Sequence, residues 1–161
     1  MNPEEIYKTL IDRFGDAVLG FDFELVGDPN IQIAPAAIAA VCQYLAETDS
    51  LAFNSLMCLS GVDLGAKDEE FSVVYHLHSL RYLHSVVLKT SMPKTDPHLP
   101  TVSHIWKTAD WHERETYDLY GIFFEGHTDL RRILLPDDWE GYPLRKDYME
   151  PDFYRGMRVP Y

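Results

Sequence analysis

Acids, bases, aromatic side chains and glycines crowd into one stretch of this 161-residue chain. Glu113-Arg114-Glu115 leads into Thr116-Tyr117-Asp118-Leu119-Tyr120-Gly121, and then into Gly126-His127-Thr128-Asp129-Leu130-Arg131-Arg132. Paired carboxylates near a histidine are the parts of general acid–base chemistry, where one group gives a proton and another takes it. A second set, His76 and His78 with His84, puts two imidazoles on one face of a predicted strand and could begin a metal site. Both sets are incomplete. No Gly-x-Ser-x-Gly marks a nucleophile, and Ser91 and Ser103 stand in no motif. There is no phosphate-binding glycine loop or dinucleotide fingerprint, and no His-Glu-x-x-His or cysteine pair completes the imidazoles.

Docking on a large partner is the other reading. Arg131, Arg132, Arg145 and Lys146 are interleaved with Asp129, Asp137, Asp138, Glu140 and Asp147 beside aromatic residues. That mixture suits a partly buried protein interface, where Arg, Tyr and Trp are enriched. The plainest reading is a solvated, charged helix face. It covers Glu113-Arg114-Glu115, but not His127, Arg131 and Arg132 in a stretch without helical period.

These residues need elements to hold them. A helix from about Asp110 to Tyr120 carries the first half of the dense stretch. Asp110 and Glu113 stand at a spacing like a capping box, and Arg114 and Asp118 at i, i+4 can pair. Upstream, Asn2 caps a helix over Pro3–Phe14 with Ile6, Leu10 and Phe14 on one face. Ala17 to Val26 reads as a strand, Gly27-Asp28-Pro29-Asn30 as a turn and Ile31 to Ile33 as a short strand. Pro35 opens an Ala-rich helix reaching Leu45. Leu51–Asp63, Glu70–Ser79 and Tyr82–Met92 read as three strands joined by links at Gly65-Ala66-Lys67-Asp68 and Leu80-Arg81, an antiparallel meander. Three prolines break regular structure between Pro93 and Pro100, and Thr101–Trp106 reads as a short helix.

The expected class is α+β: two helices packed on a mostly antiparallel sheet, a short C-terminal helix, then an extended C-terminal arm. Residues 1–122 form the compact domain and 123–161 the arm. The arm is too hydrophobic for a disordered tail and too long for an ordinary loop, so it is expected to gain its order on another protein.

Bulk properties exclude several classes. With 26 acids against 14 bases the net charge is −12, which repels phosphate backbones and anionic membranes and makes nucleic acid an unsuitable partner. Cys42 and Cys58 read as buried free thiols of a reducing compartment; two cysteines alone do not hold an iron–sulfur cluster. The N-terminus shows no signal peptide, and no apolar stretch approaches the about 20 residues of a spanning helix. A soluble chain that reaches a membrane only through a partner is expected.

Glu113-Arg114-Glu115, Asp118-Leu119-Tyr120, His127, Arg131 and Ile133-Leu134, in that spacing, resemble the signature of the C-type subunit family of respiratory complex I, the proton-translocating NADH:quinone oxidoreductase. Trp111-His112, Gly141-Tyr142-Pro143-Leu144-Arg145-Lys146-Asp147-Tyr148 and Tyr75-His76-Leu77-His78-Ser79-Leu80 resemble it too. The match runs from about Phe71 to Tyr148. The resemblance implies a non-catalytic subunit of the hydrophilic arm, on the cytoplasmic side of the membrane. It would bind no flavin, cluster or quinone itself. It would brace the quinone-reducing D-type subunit and neighbouring subunits that carry FMN and iron–sulfur clusters. It implies an interface made of Glu113, Arg114, Glu115, Asp118, His127, Arg131, Arg132, Trp139, Tyr142, Arg145, Lys146 and Tyr148, with no catalytic, cofactor or metal ligand in the chain. A similar subunit in a ferredoxin- or F420-dependent dehydrogenase or a membrane-bound hydrogenase is the alternative, and a His/carboxylate metalloenzyme or a free-standing adaptor a more distant one.

Overall fold

Helix α1, Pro3–Phe14, begins where its capping chemistry places it: the Asn2 side chain accepts from the Glu5 amide and the Glu5 carboxylate accepts from the Asn2 amide, each at 2.8 Å. The computed structural model describes residues 1–23, 27–65 and 69–159. Helix α2 spans Ile38–Glu47, and the Pro35–Ala37 segment before it is a 3-10 turn rather than its first α-helical turn. Ile6 and Leu10 of α1 and Val41, Cys42 and Leu45 of α2 point into one core.

That core lies against a five-stranded sheet. Its strands are β1 (Val18–Asp22), β2 (Asn30–Ile33), β3 (Ser55–Asp63), β4 (Glu70–Ser79) and β5 (His84–Pro93), in the order β1-β2-β5-β4-β3. All pairings are antiparallel except β2 with β5, which are parallel because α2 and the β3–β4 hairpin intervene between them. In β4, Phe71, Val73, Tyr75 and Leu77 are fully buried on the helix-covered face, while Val74, His76 and His78 alternate on the other. Burying each such side chain contributes about 1.5–3 kcal/mol.

The α+β layout is as expected, with local corrections. Residues 18–22 of the predicted first strand form β1; 24–26 lie outside the described residues, as do 66–68 of the predicted link. Residues 51–54 form a turn, with Ala52 at φ 47° and the Phe53 amide bonded to the Leu45 carbonyl, so β3 starts at Ser55. β5 starts at His84, because Leu83 adopts φ 53° and cannot continue a strand. Thr101–Trp106 is a turn, not a helix. Its Val102 carbonyl accepts from Ile105 and Trp106, while a carboxylate of the next helix claims the Val102 amide and the Trp106 indole donates to the Phe53 carbonyl at 3.0 Å. His98–Pro100, inside the proline-rich break, forms a short strand β6 paired in parallel with β7, Phe123–Glu125. Phe153–Tyr154 (β8) and Met157–Arg158 (β9) make a hairpin that no sequence pattern announced.

Helix α3, Lys107–Tyr120, covers the edge strand β3. The Leu59 amide on that edge donates to His112 Nδ1 at 2.9 Å, and Thr108 Oγ1 donates to the Leu56 carbonyl at 3.3 Å. Capping an edge in this way removes a surface open to strand addition. The fit is close at Gly61: a Cβ there would lie 2.8 Å from the Tyr120 ring and 2.9 Å from the Thr116 methyl. Gly61→Ala is therefore expected to lower stability by about 1–3 kcal/mol, read as a shift in the urea midpoint at unchanged slope.

Candidate interface around the third helix

Asp118, fully buried near the end of α3, holds the chain that follows the helix. Its Oδ2 accepts from three consecutive amides, Ile133 at 2.9 Å, Leu134 at 2.7 Å and Leu135 at 3.0 Å. Its Oδ1 accepts from the Arg132 guanidinium at 2.8 Å, which also reaches the Asp118 carbonyl at 3.0 Å. Burial alone would raise this carboxyl, but the amides and Arg132 outweigh it and hold it below the usual aspartate range.

A second acid fixes the far end of the same segment. Asp63, at the end of β3, accepts the Lys146 amide at 2.9 Å, the Gly65 amide at 3.0 Å and the Lys94 ammonium at 2.6 Å. Burial raises its carboxyl, and these bonds, Lys94 foremost, bring it below its ordinary value. Between the two acids, the Leu144 amide donates to the Leu119 carbonyl at 3.1 Å and Arg145 Nε to the Tyr120 carbonyl at 2.6 Å. The Arg145 guanidinium lies 4.9 Å from the Phe71 ring centroid and 4.6 Å from that of Tyr142. Gly121 ends the helix at φ 71°, and a side chain there would strike Tyr142 at 2.5 Å and Arg145 at 2.6 Å. Residues 132–148 are thus laid back over the C-terminal half of α3 without regular secondary structure of their own.

The N-terminal half of α3 holds the chain that precedes it. Glu113, fully buried, accepts from the Thr101 hydroxyl and, at 2.7 Å, from the Val102 amide. Burial is the main reason its carboxyl is pushed up to about 7; those two bonds oppose the rise and Asp110 adds to it. The buried His127 ring lies beside this group, Nε2 being 3.3 Å from Asp110 Oδ1 and 3.9 Å from Glu113 Oε2. Its Nδ1 accepts from the Asp129 amide at 3.0 Å, which leaves Nε2 as the nitrogen bearing hydrogen. Arg114, also buried, pairs with Asp110 and, at 3.6 Å, with Asp129, its guanidinium 4.2 Å from the Trp111 ring centroid.

These pairings differ from the sequence expectation. Arg114 reaches back one turn to Asp110 rather than forward to Asp118, because Asp118 is already saturated by the returning chain. Glu113 does not close a capping box with Asp110: α3 starts earlier, at Lys107, its N-cap Trp106 has no side-chain cap bond, and Glu113 turns inward to residues 101–102. Glu115 is exposed and Glu113 buried, so the two carboxylates face different environments and form no acid–base pair.

The imidazoles do not converge either. His76 and His78 lie on the outer face of the sheet, His78 Nδ1 being 2.8 Å from Ser85 Oγ. His84, opposite Ser79, lies on the helix-covered face and donates to the Leu51 carbonyl at 2.8 Å. Cys42 is fully buried, with its thiol pushed far up by burial; Cys58 is only half-buried, against expectation, and lies 3.1 Å from Ser60 Oγ.

Of the remaining expected interface residues, Arg131 and Lys146 are exposed, and among the described residues Arg131 bonds only Asp129, at 3.0 Å. Trp139 is half-buried against Tyr154, ring centroids 5.1 Å apart, and Tyr148 packs beside Gly141. Sequence reasoning missed Asp63 and Thr101. Each lies in another element from its partner, and nothing in their neighbours signals the pairing.

Two expectations follow. Asp118→Asn should cost about 3 kcal/mol or more, since Arg132 and the converging amides lose their anion, and limited trypsin digestion should then cut at Arg131 or Arg132 in otherwise folded protein. The Asp118 contribution is present above the unfolded value, about 3.8, and is lost as pH falls through the lower folded one. Glu113 acts in the opposite sense. Its folded value of about 7 lies above the unfolded 4.5, so its contribution is complete below pH 4.5 and is lost as pH rises through 7. Denaturation midpoints measured across that window should show this downward slope, and Glu113→Gln should flatten it.

Comparison with known proteins gives this site its context. Residues 31–154 match the family model described as the respiratory-chain NADH dehydrogenase, 30 Kd subunit. The chain is 46% identical to the C subunit of the NADH-quinone oxidoreductase of Chloroherpeton thalassium, with 99% of this chain and 66% of that protein covered. With the C subunit from Chlorobium phaeobacteroides it shares 40% identity over 96% of this chain and 93% of that one. It spans 60% of the C subunit from Salinispora tropica, at 43% identity. The solved trypsin-resistant fragment (1-134) of Nqo5 superposes with a TM-score of 0.62 at 30% identity, covering 76% of this chain and 97% of the fragment. A chain of the membrane-bound sulfane sulfur reductase, an archaeal respiratory membrane complex, shares the fold, with a TM-score of 0.73 at 23% identity over 97% of this chain and 98% of that one. By these matches the chain belongs to the family of the C subunit of NADH-quinone oxidoreductase, the complex I 30 kDa subunit family.

Proposed function

We propose that this chain is a structural subunit of the hydrophilic arm of a respiratory NADH:quinone oxidoreductase, bracing the quinone-reducing D-type subunit and its cluster-bearing neighbours while carrying no redox group itself. One observation supports this reading above others. The side chains best equipped for chemistry, Glu113, Asp118, Arg114 and His127, are buried and engaged in holding residues 101–102 and 127–135 of their own chain. What the surface offers instead is docking material: Trp111 on α3, Arg131 before the returning segment, and Leu134, Leu144, Lys146, Met149, Phe153 and Met157 along and beyond it are exposed. Exposed apolar and arginine-bearing surface of this kind fits a protein partner better than bulk water.

Among the described residues no helix is long and apolar enough to cross a membrane, so attachment to a membrane would come through the partners. The electron donor and the proton translocation belong to the whole assembly. The fold shared with a chain of the sulfane sulfur reductase supports a second reading, the equivalent subunit of a related complex with a different donor or acceptor.

A native gel of mildly solubilised membranes from the source cells, blotted for this chain, separates the readings. Signal in a very large band with NADH:acceptor activity is expected. A large band without that activity favours the related complex, and signal only near 18.6 kDa overturns the subunit reading. Within the large band, Arg131→Ala should lower the amount of this chain while leaving its melting behaviour within about 0.5 kcal/mol of wild type, since Arg131 is exposed. Arg145→Ala should lower both, because Arg145 is held by Phe71, Tyr142 and the Tyr120 carbonyl.

A further inference from the structure

We propose that the turn joining β4 to β5, Leu80-Arg81-Tyr82-Leu83, is a docking tooth that seats in an apolar pocket, rimmed by a carboxylate, on a neighbouring protein subunit; this rests on the subunit reading above. The turn presents Leu80, Tyr82 and Leu83 at 65%, 43% and 79% exposure. Three large apolar side chains at the tip of a hairpin are costly for a free-standing protein, which places Gly, Asn or Asp there. Leu83 moreover adopts φ 53°, a conformation that glycine or asparagine enters without the steric cost a leucine bears. Stability alone would favour Asn or Gly at this position, so a leucine there points to a role for its side chain.

The tip is held ready. The Leu83 amide donates to the Ser79 carbonyl at 2.8 Å, the Tyr82 amide to Ser79 Oγ at 3.3 Å and the Leu80 amide to the Asn54 side chain at 3.1 Å. Below it, His84 is fixed by the Leu51 carbonyl and stacks on Tyr82, ring centroids 5.8 Å apart. A rigid apolar anchor loses little freedom when it binds, which favours affinity.

Charge selects the partner. Arg81 lies 5.1 Å from the Tyr82 ring centroid and, among the described residues, pairs only with Asp49, at 3.7 Å between two exposed side chains. Such a pair contributes little and is readily exchanged for a carboxylate on a partner. A lipid surface fits less well, because a chain of net charge −12 is repelled by anionic headgroups. A second copy could pair its own exposed Asp49 with Arg81, so labelling of another copy of this chain from position 82 would also overturn the proposal. Ser79 is at the opposite end of β4 from Phe71, where Arg145 stacks, and a ten-residue strand is about 30 Å long. The tooth is thus a contact separate from the C-terminal segment.

The test uses the full chain in its cells. Leu80→Ser combined with Leu83→Asn should leave the melting temperature of the purified chain equal or higher, while its incorporation into the large band falls about tenfold. Arg81→Glu, a surface change, should reduce incorporation without altering the melt, and decides the matter alone if the double variant proves less stable. A photo-crosslinking residue in place of Tyr82 should label one protein subunit of the assembly. Normal incorporation of both variants, labelling of lipid alone, or tip-dependent sedimentation with phosphatidylglycerol vesicles would each overturn the proposal. Wild-type chain absent from the large band would instead refute the subunit reading itself.

Discussion

Three successive amides on one carboxylate oxygen decide how this protein is finished. Ile133, Leu134 and Leu135 belong to a stretch without helix or strand, so their amides have no ladder in which to find acceptors. An amide partly withdrawn from water and left without an acceptor is unfavourable. Asp118 supplies the missing acceptor from within a regular helix, and its low proton affinity keeps it an acceptor wherever the protein is folded at ordinary pH. The rest of the returning segment is then within reach of Leu119, Tyr120 and Asp63.

Helix α3 acts as a beam from which irregular chain is hung on both sides. Glu113 holds residues 101–102 before it, and Asp118 holds residues 132–135 after it. Through His112 and Thr108 the same helix closes the exposed edge of the sheet. The two carboxylates are both buried yet behave oppositely. Asp118 meets a guanidinium and three amides, while Glu113 meets one hydroxyl and one amide with Asp110 nearby. The number of donors outweighs burial in one case and not in the other. Acid should therefore loosen the C-terminal side of the beam, whereas a rising pH weakens the N-terminal side.

Much of the scaffold was legible from the chain itself. Asn2, Pro3 and the Ile6/Leu10 spacing defined α1, and the richness of residues 71–78 in β-forming side chains defined β4. Less legible was anything set by distant partners. Thr101–Trp106 has helix-compatible residues, but Glu113 and the Phe53 carbonyl claim its donors. Arg114 and Asp118 have ideal spacing, yet each is taken by a stronger competitor. The Asp63–Lys146 link joins residues with no local pattern in common. The parallel pairing of β2 with β5 depends on how α2 crosses the sheet, which periodicity does not encode.

Alternating acids, bases and aromatics are equally compatible with catalysis and with docking, because both need charged groups in partly dry surroundings. Burial shows what these groups bond to in the folded chain. A catalytic carboxylate must face space that a substrate can enter, whereas Glu113 and Asp118 are sealed and their acceptor capacity is used by the chain's own amides. Arg132 and Arg145 likewise end on carbonyls and rings of the same molecule. A segment so held can present its outer side chains at fixed positions without secondary structure of its own. Rigid presentation of that kind lowers the entropy cost of association. The charge pattern therefore fixes the path of the chain before and after α3.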